Sequence, residues 1–66
     1  MKLLKEYTIL NALGFPLLHF PIGRYTKDHV RAFYDALVAD AEIANPVKLV
    51  AVDALGEQHE VSVEDL

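Results

Sequence analysis

The clearest pattern along the chain is a stripe of apolar residues at helical spacing between about residues 27 and 41. The stripe comprises Val30, Phe33, Tyr34, Leu37, Val38 and Ala41. Their recurrence every three or four positions places them on one side of a helix, and Thr26 can cap its first turn by accepting a backbone N–H. Asn45-Pro46 prevents continuation, because the residue before a proline avoids the helical conformation. The pattern therefore predicts one amphipathic helix over residues 27–41.

Two segments with strand character follow the helix. Residues 47–52 are rich in valine, and in residues 59–63 apolar and polar positions alternate. Between them, Asp53-Ala54-Leu55-Gly56 has the composition of a type I turn that is closed by glycine. We therefore predict a hairpin after the helix, with one face buried and the other in water.

The first third of the chain admits two interpretations. Asn11-Ala12-Leu13-Gly14 nearly repeats the later turn, and apolar segments flank it on both sides, which predicts a first hairpin. In the alternative, residues 2–13 form a helix that ends at Gly14. We favour the hairpin, with Pro16 and Pro21 on an edge strand, where a missing N–H costs least.

Together these elements predict a single α+β domain over residues 1–66 in the order hairpin, helix, hairpin (ββαββ). We expect a four-stranded sheet with one helix packed on one face. This order is similar in outline to the β-grasp arrangement of ubiquitin-like and immunoglobulin-binding bacterial domains, whose first and last strands lie parallel at the centre. The resemblance concerns topology, and a shared topology does not carry function.

The chain contains more apolar side-chain surface than a domain of its size can bury. Of its 66 residues, 53% are hydrophobic, whereas a domain of about 60 residues buries only about 60% of its unfolded surface. Charge is also uneven: residues 1–33 carry five basic and two acidic groups, and residues 34–66 carry one basic and eight acidic groups. The absence of cysteine and of a long apolar span favours a cytoplasmic location.

Residues suited to catalysis or metal binding are few and poorly spaced. Ser62 lies three positions from His59 in one predicted strand, so their side chains are expected on opposite faces. The histidines at positions 19, 29 and 59 lie at least ten positions apart, and no cysteine supplements them. We therefore predict no enzyme activity, no catalytic residue, no cofactor and no metal site.

Three surfaces are candidates for binding. An edge strand over residues 15–22 would leave one apolar face open to a second copy or another protein. Its predicted contact residues are Phe15, Leu17, Leu18, His19, Phe20 and Ile22. At the helix start, Arg24, Lys27 and Arg31 form an anion-binding candidate. The acidic second half is the third surface, suited to a basic partner.

We therefore predict a non-enzymatic protein–protein interaction module, such as a small homodimer, inhibitor or adaptor, including phage-type ones, that binds through an apolar edge strand. The alternative is a nucleic-acid-related regulator, either an acidic mimic of DNA or a weak binder of anions or nucleic acid at the helix start. Direct nucleic-acid binding is the weaker version, because six Lys and Arg against ten Asp and Glu leave few contacts for phosphates. The sequence indicates neither a membrane partner nor a small-molecule substrate.

Overall fold

The described part of the chain forms two β-strands, a helix and two further strands. A computed structural model describes residues 3–40, 42 and 46–66. Its elements are β1 (Leu4–Leu10), β2 (Pro16–Pro21), α1 (Lys27–Ala39), β3 (Lys48–Asp53), β4 (Gln58–Val61) and a 3-10 helix (Val63–Asp65). The predicted α+β class and ββαββ order are confirmed. The first hairpin is confirmed as well, because the segment that could have been a helix forms β1.

The four strands form one antiparallel sheet in the order β2-β1-β3-β4. The central pair is β1 with β3, so the sheet differs from the β-grasp order, in which the first and last strands are central and parallel. The reason lies in the composition of the second hairpin. Four of the six β3 residues are buried, whereas three of the four β4 residues are exposed. The apolar strand therefore occupies the centre and the polar strand the edge.

Helix α1 covers one face of the sheet and encloses the core. Val30 of the helix belongs to a buried cluster with Ile9 of β1, Phe20 of β2 and Leu49 of β3, together with Val47. Val30 is 1% exposed and Ile9 is 0% exposed. Complete burial of an aliphatic side chain contributes about 1.5–3 kcal/mol. The stability of so small a domain therefore depends heavily on this one cluster.

The ends of α1 follow from local chemistry. Thr26 Oγ1 accepts the backbone N–H of His29 at 3.2 Å, as predicted for the cap. The helix ends at Ala39, earlier than the predicted end at Ala41. Ala41 and Asn45, the first residue of the Asn45-Pro46 pair expected to prevent continuation, lie outside the described residues. No helix in the described part of the chain is long and apolar enough to cross a membrane.

The two hairpin turns repeat the same structure. Asn11 Oδ1 accepts the backbone N–H groups of the second and fourth residues after it at 2.9 and 3.0 Å, and Asp53 Oδ1 does the same at the same distances. Gly14 and Gly56 close the turns with φ of +88° and +85°. The sequence repeat therefore forms one kind of turn twice.

Replacing Gly14 with alanine is expected to destabilise the protein by about 1 kcal/mol, because a side chain at positive φ is strained. Nothing lies within 4 Å of the added Cβ, so backbone strain is the only penalty. Gly14→Asn should cost less, since asparagine tolerates this conformation better. Urea unfolding followed by circular dichroism measures both effects. Equal stabilities of wild type and Gly14→Ala contradict this account of the turn.

Candidate functional site

The predicted contact segment forms β2 and its flanks, but its apolar side chains do not share one surface. Phe15 and Ile22, at the two ends, are 62% and 47% exposed. Leu17 and Leu18 are half-buried and pack against the core. Phe20 is a core residue that faces α1, so its side chain is not accessible. The open apolar face expected along the whole segment is therefore limited to parts of it.

A compact apolar patch lies at the end of β2 that leads into α1. The rings of Tyr25 and Phe33 have centroids 5.3 and 5.6 Å from that of Phe20, and the Tyr25 ring meets it edge-on. Ile22 joins Tyr25 through an isolated backbone bridge. We call Ile22, Tyr25 and Phe33 the aromatic patch; each is nearly half-exposed. Sequence reasoning found only Ile22, because the other two become its neighbours only when α1 packs beside β2.

The outer backbone of β2 offers little for pairing with another strand. Ile22 donates its N–H to the carbonyl oxygen of Lys5 at 3.0 Å. Because backbone groups alternate in direction along a strand, Pro21 directs its backbone outward, where proline has no N–H to donate. Pro16 begins the strand. A partner therefore has more to gain from the side chains of the aromatic patch than from extending the sheet.

The three cations of the predicted anion site have different neighbours. Arg31 Nη2 donates to the carbonyl oxygen of Val63 at 3.0 Å and so connects α1 to the 3-10 helix. Lys27 lines a cavity beneath the start of α1. Arg24 is exposed in the turn between β2 and α1. These positions give no support to a single anion site.

On the sheet face away from α1, Glu6, Thr8 and His19 form a polar cluster. Thr8 Oγ1 donates to Glu6 Oε2 at 2.7 Å, and His19 Nδ1 lies 2.6 Å from the same oxygen. The hydrogen bond from the Thr8 hydroxyl is the largest cause of the lowered pKa of Glu6. Burial of the carboxyl group opposes this shift, and His19 lowers the pKa further. Thr8 itself is 2% exposed, so its hydroxyl is satisfied inside the fold.

This cluster has the residue types of a hydrolytic triad without its geometry. In a triad, one ring nitrogen of histidine accepts the nucleophile's proton while a carboxylate holds the other nitrogen. Here the same atom, His19 Nδ1, lies 3.1 Å from Thr8 Oγ1 and also contacts Glu6. The arrangement cannot relay a proton from Thr8. Ser62 is no better placed, since its hydroxyl donates to Glu64.

A second pair of histidine and carboxylate lies on the side of the sheet that α1 covers. Asp53 Oδ2 is 2.9 Å from His59 Nε2, and the two side chains are 1% and 52% exposed. Sequence reasoning missed the pair because it treated Asp53 as a turn residue and His59 as half of a serine pair. The alternation of side chains along a strand carries a signal for this pair. His59 pairs with Ala51, so Asp53, two positions after Ala51 in β3, lies on the same face of the sheet as His59.

Asp53 and His59 line a cavity of about 540 Å³ between the start of α1 and the sheet. The walls are mainly apolar and include the side chains of Tyr7 and Val61. Asp65 of the 3-10 helix lies at the same cavity. The molecule therefore has a polar pair at the wall of an open space, which sequence spacing did not indicate.

Thr8→Val is expected to raise the pKa of Glu6 toward its ordinary value of 4.5, because valine keeps the shape but cannot donate to the carboxylate. His19→Ala should raise it less. A lowered folded-state pKa means that ionised Glu6 stabilises the fold above the unfolded pKa, and that this stabilisation is lost as pH falls through the folded pKa.

The measurement is a carboxyl-carbon NMR titration of wild type and both variants, with unfolding at several pH values as the readout of stability. Protonation of Glu6 below about pH 4.5 removes part of the free energy of unfolding of the wild type, and Thr8→Val should make that loss smaller. An unchanged pKa of Glu6 in Thr8→Val shows that the hydroxyl is not the cause of its shift.

A scan against models of protein families, a search of curated proteins and a search of solved structures each found no match to this chain.

Proposed function

We propose that this chain is a non-enzymatic protein–protein interaction module that binds a second copy of itself through the aromatic patch. The observation that carries the proposal is the packing of the rings of Tyr25 and Phe33 against the buried ring of Phe20, with Ile22 beside Tyr25 and all three outer residues nearly half-exposed. Aromatic residues are enriched in the core of interfaces, where a few residues supply most of the binding energy. The absence of cysteine leads us to place this module in the cytoplasm.

The size of the chain is compatible with such an interface. A specific interface of standard size buries about 800 Å² on each partner. The chain exposes 4630 Å² in total, so this interface would cover about one-sixth of the surface. The aromatic patch supplies its centre, and the exposed ends of β2 and α1 supply its rim. Self-association also stabilises a small core by mass action.

The distribution of charge favours this side of the molecule for contact between two copies. The sheet order places β4 at the edge opposite β2. Glu57, Glu60, Glu64 and Asp65 belong to β4 and its flanks, whereas most basic residues belong to the first half of the chain. Contact through the β2 side keeps the two acidic edges apart, and contact through the β4 side would oppose like charges.

The alternative of a nucleic-acid-related regulator has weaker support. Its direct version needs the three cations near the start of α1 to act together, and they have separate neighbours. Its mimic version needs acidic groups on one face. Glu60 pairs with Val50 on the face away from α1, whereas Asp65 lines the cavity on the helix side. The acidic groups are therefore divided between two faces.

Ile22→Lys is expected to abolish self-association, because it places a cation at the centre of the contact. Ile22 is preferred over Phe33, whose ring packs on Phe20 and whose loss would also weaken the core. Leu55→Lys is the matched control: Leu55 is 72% exposed, lies in the turn between β3 and β4, and gives the same change in net charge. Sedimentation equilibrium over a range of concentrations measures the mass.

Wild type and Leu55→Lys should approach twice the 7.4 kDa of one chain, and Ile22→Lys should remain at that mass. A wild-type protein that stays monomeric up to about 1 mM, where association is worth only about 4 kcal/mol, overturns the proposal. Equal dimerisation of Ile22→Lys and wild type also overturns it, because the contact then lies elsewhere.

A further inference from the structure

We propose that Asp53, Glu57 and His59 form a binding site for a divalent transition-metal ion at the turn between β3 and β4. Each of the three offers a ligand atom, and these atoms lie within 4.8 Å of one another. Among the described residues, these three are the group of His, Cys, Asp or Glu side chains whose ligand atoms meet this distance. The site is independent of the proposed self-association, which concerns the opposite edge of the sheet.

The separation of Asp53 and His59 is that of a hydrogen bond and is shorter than two ligands of one zinc ion require. With metal–ligand bonds of about 2.1 Å, two ligands of a tetrahedral Zn²⁺ lie about 3.4 Å apart. The observed distance between Asp53 Oδ2 and His59 Nε2 is 2.9 Å, so the exposed imidazole has to move outward by about half an ångström when a metal binds. Coordination through Nε2 needs the ring proton on Nδ1, so the metal replaces the hydrogen bond between the two side chains.

One of the three ligands, Asp53, is held in place by the fold. Asp53 Oδ1 accepts two backbone N–H groups of its turn, which fixes the direction of Oδ2. The pairing of His59 with Ala51 fixes the backbone from which the imidazole projects. The exposed side chains of Glu57 and His59 both have to adjust to complete the coordination. Preorganisation of Asp53 reduces the cost of assembling a metal site.

A cavity adjoins two of the three proposed ligands. Asp53 and His59 lie at its wall, and its volume of about 540 Å³ leaves room for the remaining coordination positions. The same cavity is lined by Lys27, whose positive charge opposes a cation, and by Asp65, whose carboxylate offsets that charge.

The donor set indicates the class of metal. One imidazole nitrogen and two carboxylate oxygens suit Zn²⁺ and neighbouring first-row ions better than Mg²⁺ or Ca²⁺, which prefer all-oxygen sites. The sequence-based expectation of no metal site relied on the spacing between histidines. It could not include a site built from one histidine and a buried carboxylate.

The test is a titration of the purified protein with Zn²⁺ by calorimetry and with Co²⁺ by visible absorption, which reports nitrogen and oxygen coordination. The variants are His59→Ala, Glu57→Gln and Asp53→Asn. In Asp53→Asn the turn should persist, because Asn11 makes the same two backbone hydrogen bonds in the first hairpin. The matched control is His19→Ala, which removes the histidine of the other carboxylate pair.

Wild type and His19→Ala should bind one Zn²⁺ per chain, and His59→Ala should bind at least about tenfold more weakly. Glu57→Gln and Asp53→Asn should also weaken binding while the circular dichroism spectrum stays that of wild type. Absence of stoichiometric binding to wild type overturns the proposal. Binding that survives His59→Ala but is lost in His19→Ala also overturns it, because the metal then lies on the other face. Repeating the titration on Ile22→Lys separates this result from the state of association.

Discussion

The antiparallel pairing of β1 with β3 beneath Val30 is the constraint on which the rest of the structure depends. It places Ile9 opposite Leu49 and brings both against α1. Once these two strands occupy the centre, each hairpin can add its second strand only at an outer edge. The β2 edge then carries the aromatic patch and the β4 edge carries the acidic groups. The separation of the two surfaces follows from the central position of β1 and β3, the two strands with the most buried residues.

Helix α1 covers one face of the sheet, and the other face is completed by polar contacts. Thr8, at the centre of that face, is buried and satisfied by Glu6 and His19. The second pair of histidine and carboxylate, on the helix side, adjoins a cavity instead. The two pairs are similar in composition, yet one completes a surface and the other borders an open space. Their surroundings, rather than their residue types, decide what each pair can do.

The parts of this fold that the sequence predicted are those governed by local interactions. Helical spacing, the Thr26 cap and the repeated turn each depend on residues within a few positions of one another. Strand order depends on which strand of the second hairpin, β3 or β4, has the larger free-energy cost when its side chains stay in water. That comparison depends on the whole chain. The exposure of Phe33 and the burial of Asp53 depend on where α1 lies over the sheet, and no local pattern carries that information.

The repeated turn also shows what Asp53 does beyond forming the turn. Asn11 makes the same two backbone hydrogen bonds with a neutral amide, so the turn itself needs no charge. Asn11 is partly exposed, whereas Asp53 is 0% exposed. Burying a carboxylate is costly unless it is paired, and the amide alternative was sufficient elsewhere in this chain. The presence of a carboxylate at the more buried of two equivalent turns therefore indicates a role for its second oxygen, and that oxygen faces His59 at the wall of the cavity.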